Sequence, residues 1–179
     1  RLFNDEDAAS AFQARSILGC MKVAPELSNV MLEGLKHLNP RVRTLAAMGA
    51  VTLTKANLLG DYAKAVEIRL LSLAQTTRDM DERSAHVLAL GDLGYSPIEF
   101  LHDASPAVRM CAALAPGLAT NSVAQNELLD ILEHQAGNID TWFKEKPPQF
   151  AMCPRFAVVA RLVQFVTEFD QLVNAAIAI

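Results

Sequence analysis

Two stretches of the chain align without a gap. NPRVRTLAAMGAVTL begins at Asn39 and SPAVRMCAALAPGLA at Ser105; each sets a small polar residue, a proline, one free position, Val-Arg and an alanine-rich apolar run. DMDERSAHVLALGDL from Asp79 keeps the register, with Arg83 at the place of Arg43 and Arg109. CPRFAVVARLVQFVT from Cys153 keeps the proline but has Ala157 where the arginine stands elsewhere. Such a period restricts the fold more than any other feature, because a unit this short cannot bury its own apolar face and must stack on its neighbours.

Each segment has the marks of a helix start. Asn39 and Ser105 are N-cap residues followed by Pro40 and Pro106 at the first helical position, where the missing N–H costs nothing. Asp79 with Glu82 three residues on is close to a capping box. Val42, Leu45, Ala46, Gly49, Ala50 and Leu53 recur at helical spacing and predict one buried stripe. Gly49, Ala89 and Ala115 fall at equivalent places and are small enough to admit a close neighbour. Pro116, inside the third such run, predicts a kink. Gly91 and Gly94 mark a helix end and a turn rather than a phosphate loop.

A second helix is expected after each of these. Pro25–Leu38, Tyr62–Thr76 and Ser122–Ala136 carry apolar residues at the right spacing, and the third unit has room only for a short piece, Pro97–His102. A helix over about Ala8–Val23 and another over Thr167–Ile179 complete the ends. The expected architecture is all-α: one domain over residues 1–179, with hairpins at roughly 8–38, 40–77, 79–102, 105–136 and 153–179, and an insertion at 137–153. Composition agrees. Hydrophobic residues make up 51% and aromatics only 6%, much of the apolar share being alanine. That excludes a disordered chain and disfavours a β-sandwich, which needs more aromatic and β-branched side chains.

Pro-x-Val-Arg before an alanine-rich helix, as in Asn39–Ala50 and Ser105–Ala113, resembles the HEAT repeat. The short unit ending in Leu90-Gly91-Asp92-Leu93-Gly94 is similar to the HEAT-like repeats of the phycobilisome lyase group. The resemblance implies a right-handed α-α superhelix, in which Arg43, Arg83 and Arg109 pair with an acidic residue of an adjacent repeat. It covers residues 39–136 best. It implies little about activity, since HEAT arrays serve as scaffolds, transporters and occasional enzymes.

The net charge is −4, but residues 61–136 hold five Lys/Arg against eleven Asp/Glu. No basic field is present to release counterions from nucleic acid. HEAT-like DNA glycosylases cradle a duplex in a basic concave surface, whereas the second helices here display Glu26, Glu33, Glu67, Glu127, Asp130 and Glu133. A solvated helix face is the plain alternative to an acidic binding surface. The most apolar stretch, Phe156–Val166, is interrupted by Arg161 and is too short for a membrane span.

Cys20, Cys111 and Cys153 are far apart among apolar neighbours; buried free thiols are expected, with no disulfide framework and no zinc site. This pattern and the polar start RLFNDEDAAS predict a cytoplasmic protein. The absence of an initial methionine suggests a fragment or a trimmed chain. The four histidines form no His-Glu pair, which the lysine-hydroxylating HEAT enzymes require for iron. His134, beside Glu133 and one turn after Asp130, is read as part of a polar face rather than a metal site. His86 is read as a hydrogen-bonded core histidine. No residue sits in a recognisable catalytic arrangement, and no metal or cofactor is called for.

The insertion GNIDTWFKEKPPQFAMC holds the only tryptophan, Trp142, beside Phe143. Long inter-repeat loops are often functional, so these aromatics are either an exposed anchor or a cover over the gap between hairpins. The apolar end LVNAAIAI predicts a truncated array, self-association through that end, or a buried last helix. The leading expectation is a non-enzymatic module binding a protein or basic peptide on a concave acidic face, with Glu67, Glu127, Asp130, His134, Trp142 and Phe143 as contacts. The rival is a HEAT-like lyase or chaperone-type enzyme acting on a bound cofactor or protein. A polar-lined cavity between the insertion and the last hairpins favours the rival, and an open groove favours the module.

Overall fold

The computed structural model describes residues 19, 22–143, 150 and 153–164. Among them are seven α-helices and no strand. α1 is helical over residues 22–34, and α2 spans Pro40–Lys55, α3 Ala63–Thr76 and α4 Met80–Asp92. α5 spans Pro106–Ala113, α6 Ser122–Gln135 and α7 Pro154–Val163. Short 3-10 turns fill Gly60–Tyr62, Ile98–His102, Pro116–Leu118 and Ile139–Thr141. The remainder of the expected first and last helices and the apolar C-terminus lie outside the described residues.

The helix starts follow the local chemistry. Asn39 Oδ1 accepts from Arg41 N at 2.9 Å, and Asp79 Oδ1 accepts from Glu82 N at 2.9 Å. Ser105 occupies the N-cap place of α5, but its hydroxyl makes no cap bond; Asp103 Oδ1 instead accepts from Ser105 N at 2.8 Å. α4 ends in a Schellman motif. Gly94 takes φ +93°, Tyr95 N donates to Leu90 O and Gly94 N donates to Gly91 O, both at 3.0 Å, so the last carbonyls are satisfied by a residue without a Cβ. α2 ends the same way with Asn57 in the left-handed position.

Three local expectations give way. The helix runs unbroken across Pro25, where a division between residues 23 and 25 was expected. Pro116 does not kink α5. The helix stops at Ala113, with Leu114 as its cap, and Pro116 opens a 3-10 turn, because proline can neither donate the next helical bond nor fit the preceding carbonyl. Leu45 is 54% exposed, so the buried stripe of α2 is centred on Ala46, Ala47, Ala50 and Val51.

α4 is the centre of the molecule. It packs against α2, α3 and α5, while α5 also packs on α6, and α6 on α7. Every residue from Ser84 to Gly91 on α4 is buried, as expected of a helix with neighbours on all sides. Ala115 comes so close to α4 that a Cβ on Gly91 would lie 2.7 Å from its own. Leu70, Leu90, Met110, Leu128 and Ile131 are fully buried between these helices, each contributing about 1.5–3 kcal/mol of apolar burial. The third unit has no second α-helix; its place is taken by the 3-10 turn Ile98–His102, which buries Phe100 and Leu101 against α5.

Candidate functional site

The equivalent arginines bind in equivalent ways. Arg43 Nη1 donates to the carbonyls of His37 and Leu38 at 2.7 and 2.8 Å; Arg109 Nη1 donates to those of Asp103 and Ala104 at 3.0 and 3.3 Å. In both cases the guanidinium ties the helix to the loop that leads into it. The carboxylate partners differ. Arg43 forms a fork with Glu82, Nε at 2.5 Å and Nη2 at 2.8 Å. Arg83 meets Asp103 at 3.1 Å, and Arg109 Nε donates to Glu127 at 2.7 Å. Glu82 lies in the following unit, as the resemblance implied for Arg43. Glu127 lies on the second helix of the arginine's own pair.

Glu82 is only 4% exposed. A buried carboxylate is tolerated when a bidentate guanidinium satisfies it, and that bond with Glu82 holds the Arg43 guanidinium above its ordinary range. His86, one turn on, is wholly buried, with Nε2 3.8 Å from Glu82 and neither ring nitrogen hydrogen-bonded among the described residues. The expected hydrogen-bonded core histidine is therefore buried without that bond. Burial pushes it down to about 4, against a raising effect of Glu82, while Arg43 and Arg69 lower it further. Its equivalents in the other units are Ala46 and Ala112, so the imidazole fills a place that elsewhere takes a methyl group.

The residues expected to meet a partner do not form one patch. Glu67 is on α3, where it pairs with Lys64 at 2.6 Å. Glu127 is committed to Arg109 and is 18% exposed, so it is an internal ion-pair partner rather than a surface contact. Asp130 and His134 are exposed together on α6, their side chains 3.1 Å apart. Phe143 is 8% exposed, its ring centroid 5.8 Å from that of Phe150, and both belong to the main apolar core. Burial of its apolar ring takes Phe143 out of the set of surface anchors. Trp142 is half-buried against the same core. Arg155 reaches Asp140 at 2.7 Å and ties α7 to the start of the insertion.

Cys111 is buried and free, its thiol pushed up by burial, an effect the neighbouring Ser84 hydroxyl partly offsets. Cys153 is half-buried, not enclosed as expected, and Cys20 lies outside the described residues. Among the described residues no three His, Cys, Asp or Glu side chains gather as a metal site.

One cavity of about 260 Å³ is lined by residues of α2, α4 and α7 together with Leu114, the cap of α5, and Phe150. Lys55, Asp92, Arg161 and Gln164 supply its polar side chains, and Leu88, Leu114, Phe150 and Ala157 its apolar ones. Lys55 Nζ stands 3.4 Å from Asp92, and Arg161 Nη2 donates to Leu114 O at 2.7 Å. Sequence reasoning missed this place. Its signal was Arg161, a lone charge in an apolar run, which needs a partner wherever that run is buried.

No family model matches the chain, and no curated protein or solved structure matches it. Among the described residues no helix is long and apolar enough to cross a membrane.

Proposed function

We propose that the chain is a non-enzymatic interaction module of the HEAT type, a right-handed superhelix of stacked hairpins that binds a protein or peptide carrying a basic stretch. The observation that carries this reading is the distribution of charge. The repeat arginines Arg43, Arg83 and Arg109 are turned inward onto Glu82, Asp103 and Glu127. The outer face of α6 keeps Asp130, Glu133 and His134 exposed, with Val123 48% exposed on the same helix. Acidic groups beside an apolar side chain suit recognition of a basic segment, with charge steering the encounter and apolar contact holding it. The inward arginines also withdraw three basic groups from the surface on which a DNA-glycosylase reading depends.

The test is titration with a lysine-rich peptide at rising salt. Affinity is expected to fall with ionic strength and to drop about tenfold in Asp130→Lys/Glu133→Lys, which reverses two exposed charges without touching the Arg109–Glu127 pair. Salt-independent binding, or binding unaffected by that variant, overturns the reading.

The cavity beside Phe150 has the polar walls that the rival class requires, although it is lined from α2 and α4 as well as from Leu114, Phe150 and α7 rather than lying between the insertion and the last two hairpins. Among the described residues its lining holds Lys55, Asp92 and Arg161 and no histidine, cysteine or serine. That inventory suits holding a ligand better than transforming one.

A further inference from the structure

His86 on α4 stands where the repeat elsewhere sets Ala46 and Ala112, so packing alone does not require an imidazole there. The ring is wholly buried and neither nitrogen has a hydrogen-bond partner, an arrangement that costs free energy in the closed protein. A neutral imidazole tolerates this place. An imidazolium, with two N–H donors and a full charge, does not.

The charges that act on the ring are Glu82 from its own helix, Arg43 from α2 and Arg69 from α3. Arg83, also on α4, is engaged with Asp103. α5, the other helix packed on α4, carries one charge, Arg109, which is committed to Glu127 and to the carbonyls of Asp103 and Ala104. Its Cys111 lies beside the Ser84 hydroxyl, and the turn Pro116–Leu118 has no ionisable side chain. The ring thus lies among two guanidinium groups and one carboxylate. A proton on Nε2 adds a third cation, 3.8 Å from Glu82 Oε1, the oxygen that Arg43 Nε holds.

Of the helices around this cluster, α2 has the least to hold it. Its buried side chains are Ala46, Ala47, Ala50 and Val51, against Val66, Leu70, Leu73 and Ala74 on α3. Separating α2 from α4 therefore uncovers less apolar surface than separating α3. α1 moves with α2: Gly34 packs on Ala46 and Gly49 on Met31 so closely that a Cβ on either glycine would collide. Arg43 is the charged tie between this pair and α4, since one guanidinium holds both Glu82 and the carbonyls of His37 and Leu38.

We propose that the junction of α2 with α4 is an acid-operated latch: a proton on His86 draws Glu82 away from Arg43 and frees α1 and α2 to open from α4, while α3, α5 and α6 stay in place. In the closed form burial pushes the ring down to about 4, against an ordinary value of 6.5 once it meets water. Opening therefore takes up a proton between those values and is favoured as the pH falls. The latch is separate from the acidic face of α6 and does not depend on the partner proposed for that face.

Hydrogen exchange of the whole chain, read by mass spectrometry at pH 7 and pH 5 with times scaled for the intrinsic rate, tests it. Peptides from residues 35–55 are expected to lose protection about tenfold or more at pH 5, and those from residues 106–135 to stay within about twofold. His86→Ala, the side chain of the other units, and His86→Met, which fills a similar volume, are expected to abolish the loss over residues 35–55. Thermal melting checks that both variants fold. An equal loss over both segments means that the proton drives only global unfolding, and it overturns the proposal. No loss over residues 35–55, or a loss retained in a folded His86 variant, overturns it too. If neither variant folds, the parent decides: a loss confined to residues 35–55 supports the latch and a uniform loss refutes it.

Discussion

The junction of α2 with α4 and the junction of α5 with α6 are built on the same Pro-x-Val-Arg start and end in different electrostatics. Arg43 crosses to the next unit and captures Glu82, which is 4% exposed and has the unsatisfied His86 one turn away. Arg109 stays within its own pair and meets Glu127, 18% exposed and bordered by solvent. The motif thus determines where the guanidinium sits and which loop carbonyls it holds. It does not determine which carboxylate comes to it. Depth then sets the consequence: at the first junction a lost partner strands a buried charge, whereas at the second water takes over part of the role.

Breaking the first junction has the largest expected effect. Arg43→Met leaves Glu82 buried and uncompensated, and loss of one partner of a buried pair costs about 3–5 kcal/mol. Urea denaturation at pH 7 reads this directly; a loss below about 1 kcal/mol would mean that the Glu82 site is wetter than its burial indicates.

The second effect depends on pH. His86 has a folded value of about 4 against an ordinary value of 6.5, set by burial first and by the charges of Arg43 and Arg69, against Glu82. Between those values the unfolded chain binds the proton and the folded chain does not, so stability is full above pH 6.5 and falls as the pH drops towards 4. The loss amounts to about 3 kcal/mol at the acid end. His86→Met removes it, so the gap between variant and parent in urea midpoint is expected to widen steadily from pH 7 to pH 4.5. A gap that stays constant over that range refutes a neutral buried imidazole.

The smallest effect belongs to the second junction. Glu127→Gln keeps one acceptor for Arg109 and removes a charge that is partly screened, for a loss of roughly 1 kcal/mol measured by thermal melting. If this variant proves as damaging as Arg43→Met, the contrast between the junctions fails.

The features legible in the sequence are those set within one turn of helix. Caps, prolines and apolar spacing are local, and they located α2, α3, α5 and α6 and the equivalence of Arg43, Arg83 and Arg109. Glu82 read as a capping residue and Glu127 as a surface acid because each satisfies the local rules of its own helix. Only the approach of a second helix turned them into ion-pair partners. Phe143 is equally suited to an anchor or a core, and its place under Phe150 depends on how the insertion returns. The cavity was the least visible feature, because its lining comes from four helices and the insertion, separated by more than a hundred residues from Lys55 to Gln164.

What the sequence determined by itself is a set of alanine-rich helices, with starts, stops and a repeating arginine, that cannot bury their apolar faces singly. What only the tertiary structure decided is the pairing: which acid each arginine meets, which aromatic is enclosed, and that Lys55, Asp92 and Arg161 share a cavity. The physical reason is that helix formation is governed by neighbours three and four residues away, whereas burial and charge pairing depend on groups that packing brings together from distant parts of the chain.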